Sequence, residues 1–266
     1  MALFFCIKHY YFFYKMKIIS IIATLFLSLS ILSAQPKVIA HRGHYINVEG
    51  STENSITSLR KAQELNIYGA EFDVWMTLDG VLIVNHDDVI QGIMIQDVPY
   101  EKIKDLRLEN GEILPTLEAY LQQGKQDRTT RLILELKPHS TKEREDRAVA
   151  AVVKMVEEMG VKDQTEYISF SLNICKELRA RSPQAHVAYL GGDIAPNALK
   201  AMNIPGISYS IGALRNNMHW IKEAQDLGMT VNVWTLYTEV DMREMINAGV
   251  DFITSGNSLL TIELLK

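Results

Sequence analysis

The sequence predicts an α/β protein: a (β/α)8 barrel of the TIM type, in a single domain, with a short insertion after the second strand. Eight short apolar runs near residues 38, 70, 132, 167, 187, 207, 231 and 251 are mostly separated by segments of helical period. Polar residues that break this apolar background gather at the carboxyl ends of the runs, where barrels of this kind build their sites. A doubly wound open sheet would call for a glycine-rich fingerprint after an early strand, and the sequence has none.

Composition agrees with one globular domain. The 266 residues are 47% apolar and 22% charged, and no Pro/Gly/Ser-rich linker or charge block divides them. Residues 1–34 read as a secretory signal peptide that precedes the fold. They hold Lys8, Lys15 and Lys17 and no acidic residue, then an apolar run over 18–31 and small residues at 33 and 34. Met16 offers an alternative start, and an uncleaved anchor is the competing reading; the run is shorter than the ~20 residues a spanning helix wants. The expected mature chain therefore covers 35–266 and is exported, periplasmic or extracellular. Losing three lysines takes the net charge from −5 to −8. So acidic a chain is a poor general nucleic-acid binder, and any phosphate it binds must meet a local cluster of cations. Cys6 leaves with the leader, so Cys175 stands alone, no intrachain disulfide can form, and the core must hold the fold.

Residues 38–40 form the first strand. His41 and Arg42 follow at its end, and Gly43 lets the chain turn away. Histidine moves protons near neutral pH, and arginine presents a planar fork to phosphate or carboxylate. A helix follows with Ile56, Leu59, Ala62 and Leu65 on one face; Ser51 or Thr52 is placed to cap it, and Glu53 sits at its mouth. The second strand spans 68–75. Alternation puts Glu71 and Asp73 on one face and Phe72 and Val74 on the other. Two carboxylates on an otherwise apolar strand are costly to bury without partners, and a metal ion is the simplest remedy.

Thr77-Leu78-Asp79-Gly80 reads as a hairpin turn into an extra strand over 81–84, which delivers Asn85-His86-Asp87 at its end. Residues 89–115 carry turn signals at Gln91-Gly92 and Asn110-Gly111, and a helix over about 116–121 follows Pro115. The strand over 131–137 again sets two polar residues, Glu135 and Lys137, on one face. Regular alternation follows: helix 142–160, strand 167–170, helix 172–181, strand 186–190 and a short helix after Pro196. Strand 206–211, helix 216–227, strand 229–234, helix 239–248, strand 250–254 and helix 258–265 complete the chain. Trp234 lies at the carboxyl end of its strand and is as suited to the barrel core as to a substrate wall. His139, His186 and His219 show no partner pattern.

The order and content of these motifs resemble the glycerophosphodiester phosphodiesterase family. His41-Arg42-Gly43, Glu53-Asn54, Glu71-Phe72-Asp73-Val74, Asn85-His86-Asp87 and Leu134-Glu135-Leu136-Lys137 match in order, and Val233-Trp234-Thr235 and 249–254 are similar to its closing motifs. The chain departs from the family at Thr52, where Pro is usual, and at Ser255-Gly256-Asn257. The resemblance implies a barrel that hydrolyses a phosphodiester with one divalent cation. It implies Glu71, Asp73 and Glu135 as metal ligands, His41 and His86 as the acid–base pair, and Arg42 and Lys137 as phosphate holders. Glu53 would sit near the metal or orient Arg42. An all-carboxylate site suits Mg2+ or Ca2+.

The expected substrate is a small glycerophosphodiester. Two alternatives are a phospholipase-like relative that cleaves lysophospholipids or phosphoinositides, and a non-catalytic binding barrel. The lipid reading needs an exposed apolar rim, for which Ile90, Ile93, Met94 and Ile95 are the candidates. A binding barrel is expected to have lost a histidine or a carboxylate, and this chain has lost none. No nucleic acid is expected as a partner, and membrane association is expected only through an uncleaved leader.

Overall fold

The structure, a computed structural model, describes residues 35–266; the leader expected over 1–34 lies outside the described residues. In chain order the first elements are β1 (Lys37–Ala40), α1 (Ile56–Glu64), β2 (Gly69–Met76), β3 (Leu82–Val84), β4 (Val89–Ile90) and β5 (Ile93–Met94). Next come α2 (Leu117–Gly124), β6 (Arg131–Leu136), α3 (Lys142–Glu158), β7 (Thr165–Ser169), α4 (Leu172–Arg181), β8 (Val187–Tyr189) and α5 (Pro196–Ala201). The last are β9 (Gly206–Ser210), α6 (Ile211–Asn216), α7 (His219–Asp226), β10 (Thr230–Leu236), α8 (Glu239–Ala248), β11 (Phe252–Ser255) and α9 (Ser258–Leu264). Among the described residues no helix is long and apolar enough to cross a membrane.

Eight strands pair in parallel in the order β1-β2-β6-β7-β8-β9-β10-β11, and β11 pairs back onto β1 to close the ring. This is the barrel the sequence predicts. The pleat sorts each strand into two faces. On β2, Phe72 and Val74 join Leu59, Leu121 and Val149 in the large core between sheet and helices. On β6, Leu132, Leu134 and Leu136 do the same. The opposite faces point into the ring, where Ile39, Ile133, Ile168, Ala188 and Leu190 fill the interior. Glu71, Asp73 and Glu135 share that inward phase, so the alternation that buries the apolar residues also drives three carboxylates to the barrel's mouth.

β3 is the extra strand. It pairs antiparallel with β2 through Met76 and Leu82, and Thr77 N–H donates to Val81 C=O at 2.9 Å to close the turn. The residues that were hardest to read have their own small core. Ile83, Ile90, Ile95, Ile103 and Leu114 pack around Trp75, and β4 and β5 form a two-stranded hairpin.

Several expected boundaries move. Ser55 caps α1, not Ser51 or Thr52, and its hydroxyl accepts Ser58 N–H. Asn54 just before it has φ +56°, so the chain is still turning where a helix was expected to begin. The helix expected over 216–227 is α7 and starts at His219, and a further helix, α6, which was not expected, precedes it. Ser210 caps α6 directly after β9, and Asn217 leaves helical geometry at φ −141° before α7. The seventh strand ends at Ser169, which frees Phe170 from the sheet. A cis peptide bond joins Trp234 and Thr235.

Candidate active site

His41, Arg42, Glu71, Asp73, His86, Glu135, Lys137 and Trp234 all line one cavity of about 270 Å³ at the carboxyl ends of the strands. Glu53 does not line it. Its Oε2 accepts Arg42 Nη1–H at 2.7 Å, so of the two positions open to it, it takes the one that orients Arg42.

The first turn is built around Gly43. Its φ is +79°, and a Cβ there would fall 2.4 Å from Ser58 Oγ, so only glycine lets the chain pass α1. Gly43 N–H donates to Glu71 C=O at 3.0 Å. Arg42 N–H donates to Glu71 Oε2 at 2.8 Å, from a backbone at φ +54°. For a non-glycine residue that conformation costs of order 1–3 kcal/mol. It turns the guanidinium toward Glu53 and leaves its Nε 3.8 Å from Asp73 Oδ2.

Glu71, Asp73 and Glu135 each bring an oxygen within 4.8 Å of the other two. Lys137 sits among them, its Nζ 2.7 Å from Asp73 Oδ1 and 2.8 Å from Glu135 Oε1. His86 arrives from the other side on the loop after β3. Its Nδ1 meets Asp87 Oδ1 at 2.7 Å, and its carbonyl accepts the indole N–H of Trp75 at 3.1 Å. Asp87 therefore orients a neighbour and is absent from the carboxylate cluster.

The site's ionisation follows from burial and crowding. Desolvation, then repulsion from Asp73 and Glu135, raises Glu71 well above the usual carboxylate range. Burial and Asp73 likewise raise Glu135 to about 7, against the pull of Lys137. Asp73 is equally buried, yet Lys137, helped by His86 and Asn54, outweighs that burial and holds it below the ordinary value. Burial, then the neighbouring Arg42, lowers His41 to about 3, so its imidazole is neutral near pH 7 and able to accept a proton.

These residues fit a hard divalent cation. The donors are carboxylate oxygens, as Mg2+ and Ca2+ prefer, and they repel one another without a cation. Among the described residues six buried side-chain polar atoms lack a hydrogen-bond partner. Three of them, His41 Nδ1, Arg42 Nε and Glu135 Oε1, belong to residues of this cavity. Glu135 Oε1 is close to Lys137 but without hydrogen-bond alignment.

The far half of the cavity has a different character. Ile168, Leu190, Phe170, Trp234 and Tyr237 line it. Trp234 donates its indole N–H to Ser208 C=O at 2.8 Å and stands 5.6 Å from Phe170, edge to face. It thus lines the cavity and packs against the barrel interior at once. Phe170 and Tyr237 are 41% and 49% exposed, whereas Ile90 and Ile95 are buried, Ile93 packs with the insertion and Met94 is half-buried. The exposed apolar groups at the mouth are therefore these aromatic rings, not the stretch the sequence suggested.

His139 also has a place that sequence reasoning missed. Its Nε2 accepts Met76 N–H at 3.0 Å, which leaves Nδ1–H to donate to Lys137 C=O at 2.8 Å. The ring thus staples β2 to the end of β6. Its only sequence signal was its position two residues after Lys137.

Comparison with known proteins shows the family and the fold. The model of the glycerophosphoryl diester phosphodiesterase family matches residues 41–258. A glycerophosphodiester phosphodiesterase of Caldanaerobacter subterraneus subsp. tengcongensis is 26% identical over 246 residues, covering 86% of this chain and 97% of that one. The crystal structure of a glycerophosphodiester phosphodiesterase from Parabacteroides distasonis is 46% identical with a TM-score of 0.86, covering 87% of this chain and 97% of that one. A phosphodiesterase of Oleispira antarctica, solved with its product sn-glycerol-3-phosphate, shares the fold at 23% identity and a TM-score of 0.75, over 88% of this chain and 97% of that one.

Proposed function

This chain belongs to the glycerophosphoryl diester phosphodiesterase family, and we propose that it is a metal-dependent, two-histidine enzyme that cuts glycerophosphodiesters into glycerol 3-phosphate and an alcohol. The carrying observation is the convergence of Glu71, Asp73 and Glu135 within 4.8 Å of one another, with Arg42 and Lys137 in the same cavity. Carboxylates and cations so arranged suit one hard ion and an anionic phosphate in the same cavity. Glu71, Asp73 and Glu135 would hold Mg2+ or Ca2+, and the ion would supply charge stabilisation at the phosphate oxygens.

The protein's own groups do the rest. Arg42, braced by Glu53, and Lys137 hold the phosphate. His41, neutral and flanked by cations, takes the proton from the attacking hydroxyl, either water or the substrate's own glycerol hydroxyl. The attacking oxygen bonds to phosphorus as the phosphorus–oxygen bond to the alcohol breaks, and His86 gives a proton to the departing alkoxide; where the glycerol hydroxyl attacks, water then opens the cyclic phosphate to glycerol 3-phosphate. Asp87 on Nδ1 orients the His86 ring and leaves Nε2 to act. Trp234 forms a wall against the organic part of the substrate.

Phospholipase-like cleavage is a second reading because Phe170 and Tyr237 stand exposed at the mouth, where an acyl-bearing substrate could lie. Both readings are tested by stripping the protein with chelator, counting ions by calorimetry as Mg2+ or Ca2+ is returned, and assaying a panel of phosphodiesters. The primary reading expects one ion per chain and turnover of glycerophosphodiesters above lysophospholipids. Full activity in a metal-free protein would overturn the metal site, and a preference for lysophospholipids would favour the second reading. We also propose export of a mature chain that begins near Gln35, on the strength of the leader pattern alone.

A further inference from the structure

Asn54 has no part in the chemistry above, yet it is buried beneath the site at 2% exposure, with its backbone at φ +56°. Asparagine tolerates that conformation better than most residues. Its carboxamide meets Asp73 twice. Nδ2–H donates to Asp73 Oδ2 at 2.8 Å, and the backbone N–H of Asp73 donates to Asn54 Oδ1 at 3.1 Å. Its own N–H donates to Arg42 C=O at 3.0 Å.

The chemistry fixes the amide's orientation. Turned over, it would set oxygen against carboxylate and N–H against N–H, so only one arrangement satisfies both bonds. Two bonds to one residue, one on the backbone and one on the side chain, lock the direction in which the Asp73 carboxylate points. Oδ2 is taken by Asn54; Arg42 Nε, 3.8 Å from it, is too far to hydrogen-bond. Oδ1 meets Lys137 Nζ at 2.7 Å, so the two oxygens of Asp73 have separate partners and the plane of the carboxylate is fixed.

We propose that Asn54 is a positioning residue for the cation. It holds the Asp73 carboxylate by Oδ2 and ties that carboxylate to the loop that carries Arg42 and Glu53. This rests on the metal-site reading above. Aspartate in the same place would set carboxylate against carboxylate and lose the donor, which explains why the amide is needed.

The test is calorimetric titration of Mg2+, and separately Ca2+, into the chelator-stripped full chain, with thermal unfolding of the metal-free protein alongside. Asn54→Gly removes the side chain and keeps the backbone, since glycine adopts positive φ freely. Asn54→Asp keeps the shape and removes the donor. Partners that orient metal ligands typically contribute about 10–100-fold in affinity, and both variants should weaken binding by that factor. Turnover should recover as metal is raised, because the reacting groups are intact. Asn54→Gly or Asn54→Asp binding as tightly as the wild type, with only the metal-free melting temperature lowered, would reduce Asn54 to a fold residue and overturn the inference. A wild type that takes up no ion would overturn the metal site itself, and this inference with it.

Discussion

Lys137 holds its ammonium between Asp73 and Glu135, and this contact explains much of the site's electrostatics at the scale of single residues. It keeps one of three crowded carboxylates ionised while burial and repulsion lift the other two. Glu135→Gln should therefore abolish cation binding with a small change in melting temperature; unchanged metal uptake would contradict the assignment. His41→Ala and His86→Ala should each lose about 10²–10⁴-fold in kcat on an alkyl diester. A nitrophenyl ester needs little acid assistance, so His86→Ala should recover on it and His41→Ala should not. Recovery of His41→Ala alone would exchange the two roles. The paired carboxylates and the two histidines at strand ends were legible in the sequence because each depends on local rules, a period of two and a strand terminus. Asn54 and His139 were not, because their partners lie 19 and 63 residues away and only the closed barrel brings them together.

At the scale of elements, the turn after β1 is the tightest joint. Gly43→Ala must overlap Ser58 and pay for a positive φ, which should lower stability by about 1–3 kcal/mol and displace His41 and Arg42. Thermal unfolding and kcat/KM measured together should both fall; an unaltered variant would contradict the fit. His139 gives the junction of β2 and β6 a pH dependence. Burial lowers His139 to about 4, below the ~6.5 it would have in an unfolded chain. Its contribution is fully present above pH ~6.5 and is lost as pH falls toward 4, because the unfolded chain binds the proton first. The loss approaches about 3 kcal/mol. His139→Gln should have a flatter stability curve between pH 6.5 and 4 in denaturant titrations, and an equally steep one would remove this role. Sequence periodicity located the barrel strands well but misplaced the cap of α1 and missed α6. Caps and breaks depend on single φ values, such as those of Asn54 and Asn217, that no pattern of apolar residues encodes.

For the whole molecule, the ring divides the cavity into a charged half from β1, β2 and β6 and an aromatic half that includes Phe170, Trp234 and Tyr237. The strand count and its closure were legible because the apolar runs are regular; of the aromatic half only Trp234 was, because Phe170 and Tyr237 follow their strands and carry no motif. Cys175, the one cysteine among the described residues, is buried and its thiol is pushed up to about 12, chiefly by desolvation, which suits a packing residue. N-terminal sequencing of the protein recovered outside the cytoplasm should begin at or near Gln35; an intact Met1 or Met16 would contradict export with cleavage. The central claim is that this cavity breaks a phosphodiester with a cation and two histidines. Phosphorus NMR of a glycerophosphodiester incubated with the chelator-stripped protein, before and after Mg2+ or Ca2+ is added, tests it most directly. The account predicts no change before addition and conversion to glycerol 3-phosphate after it, absent in Glu135→Gln. Conversion at full rate by the stripped protein, or none after either ion is restored, would contradict it.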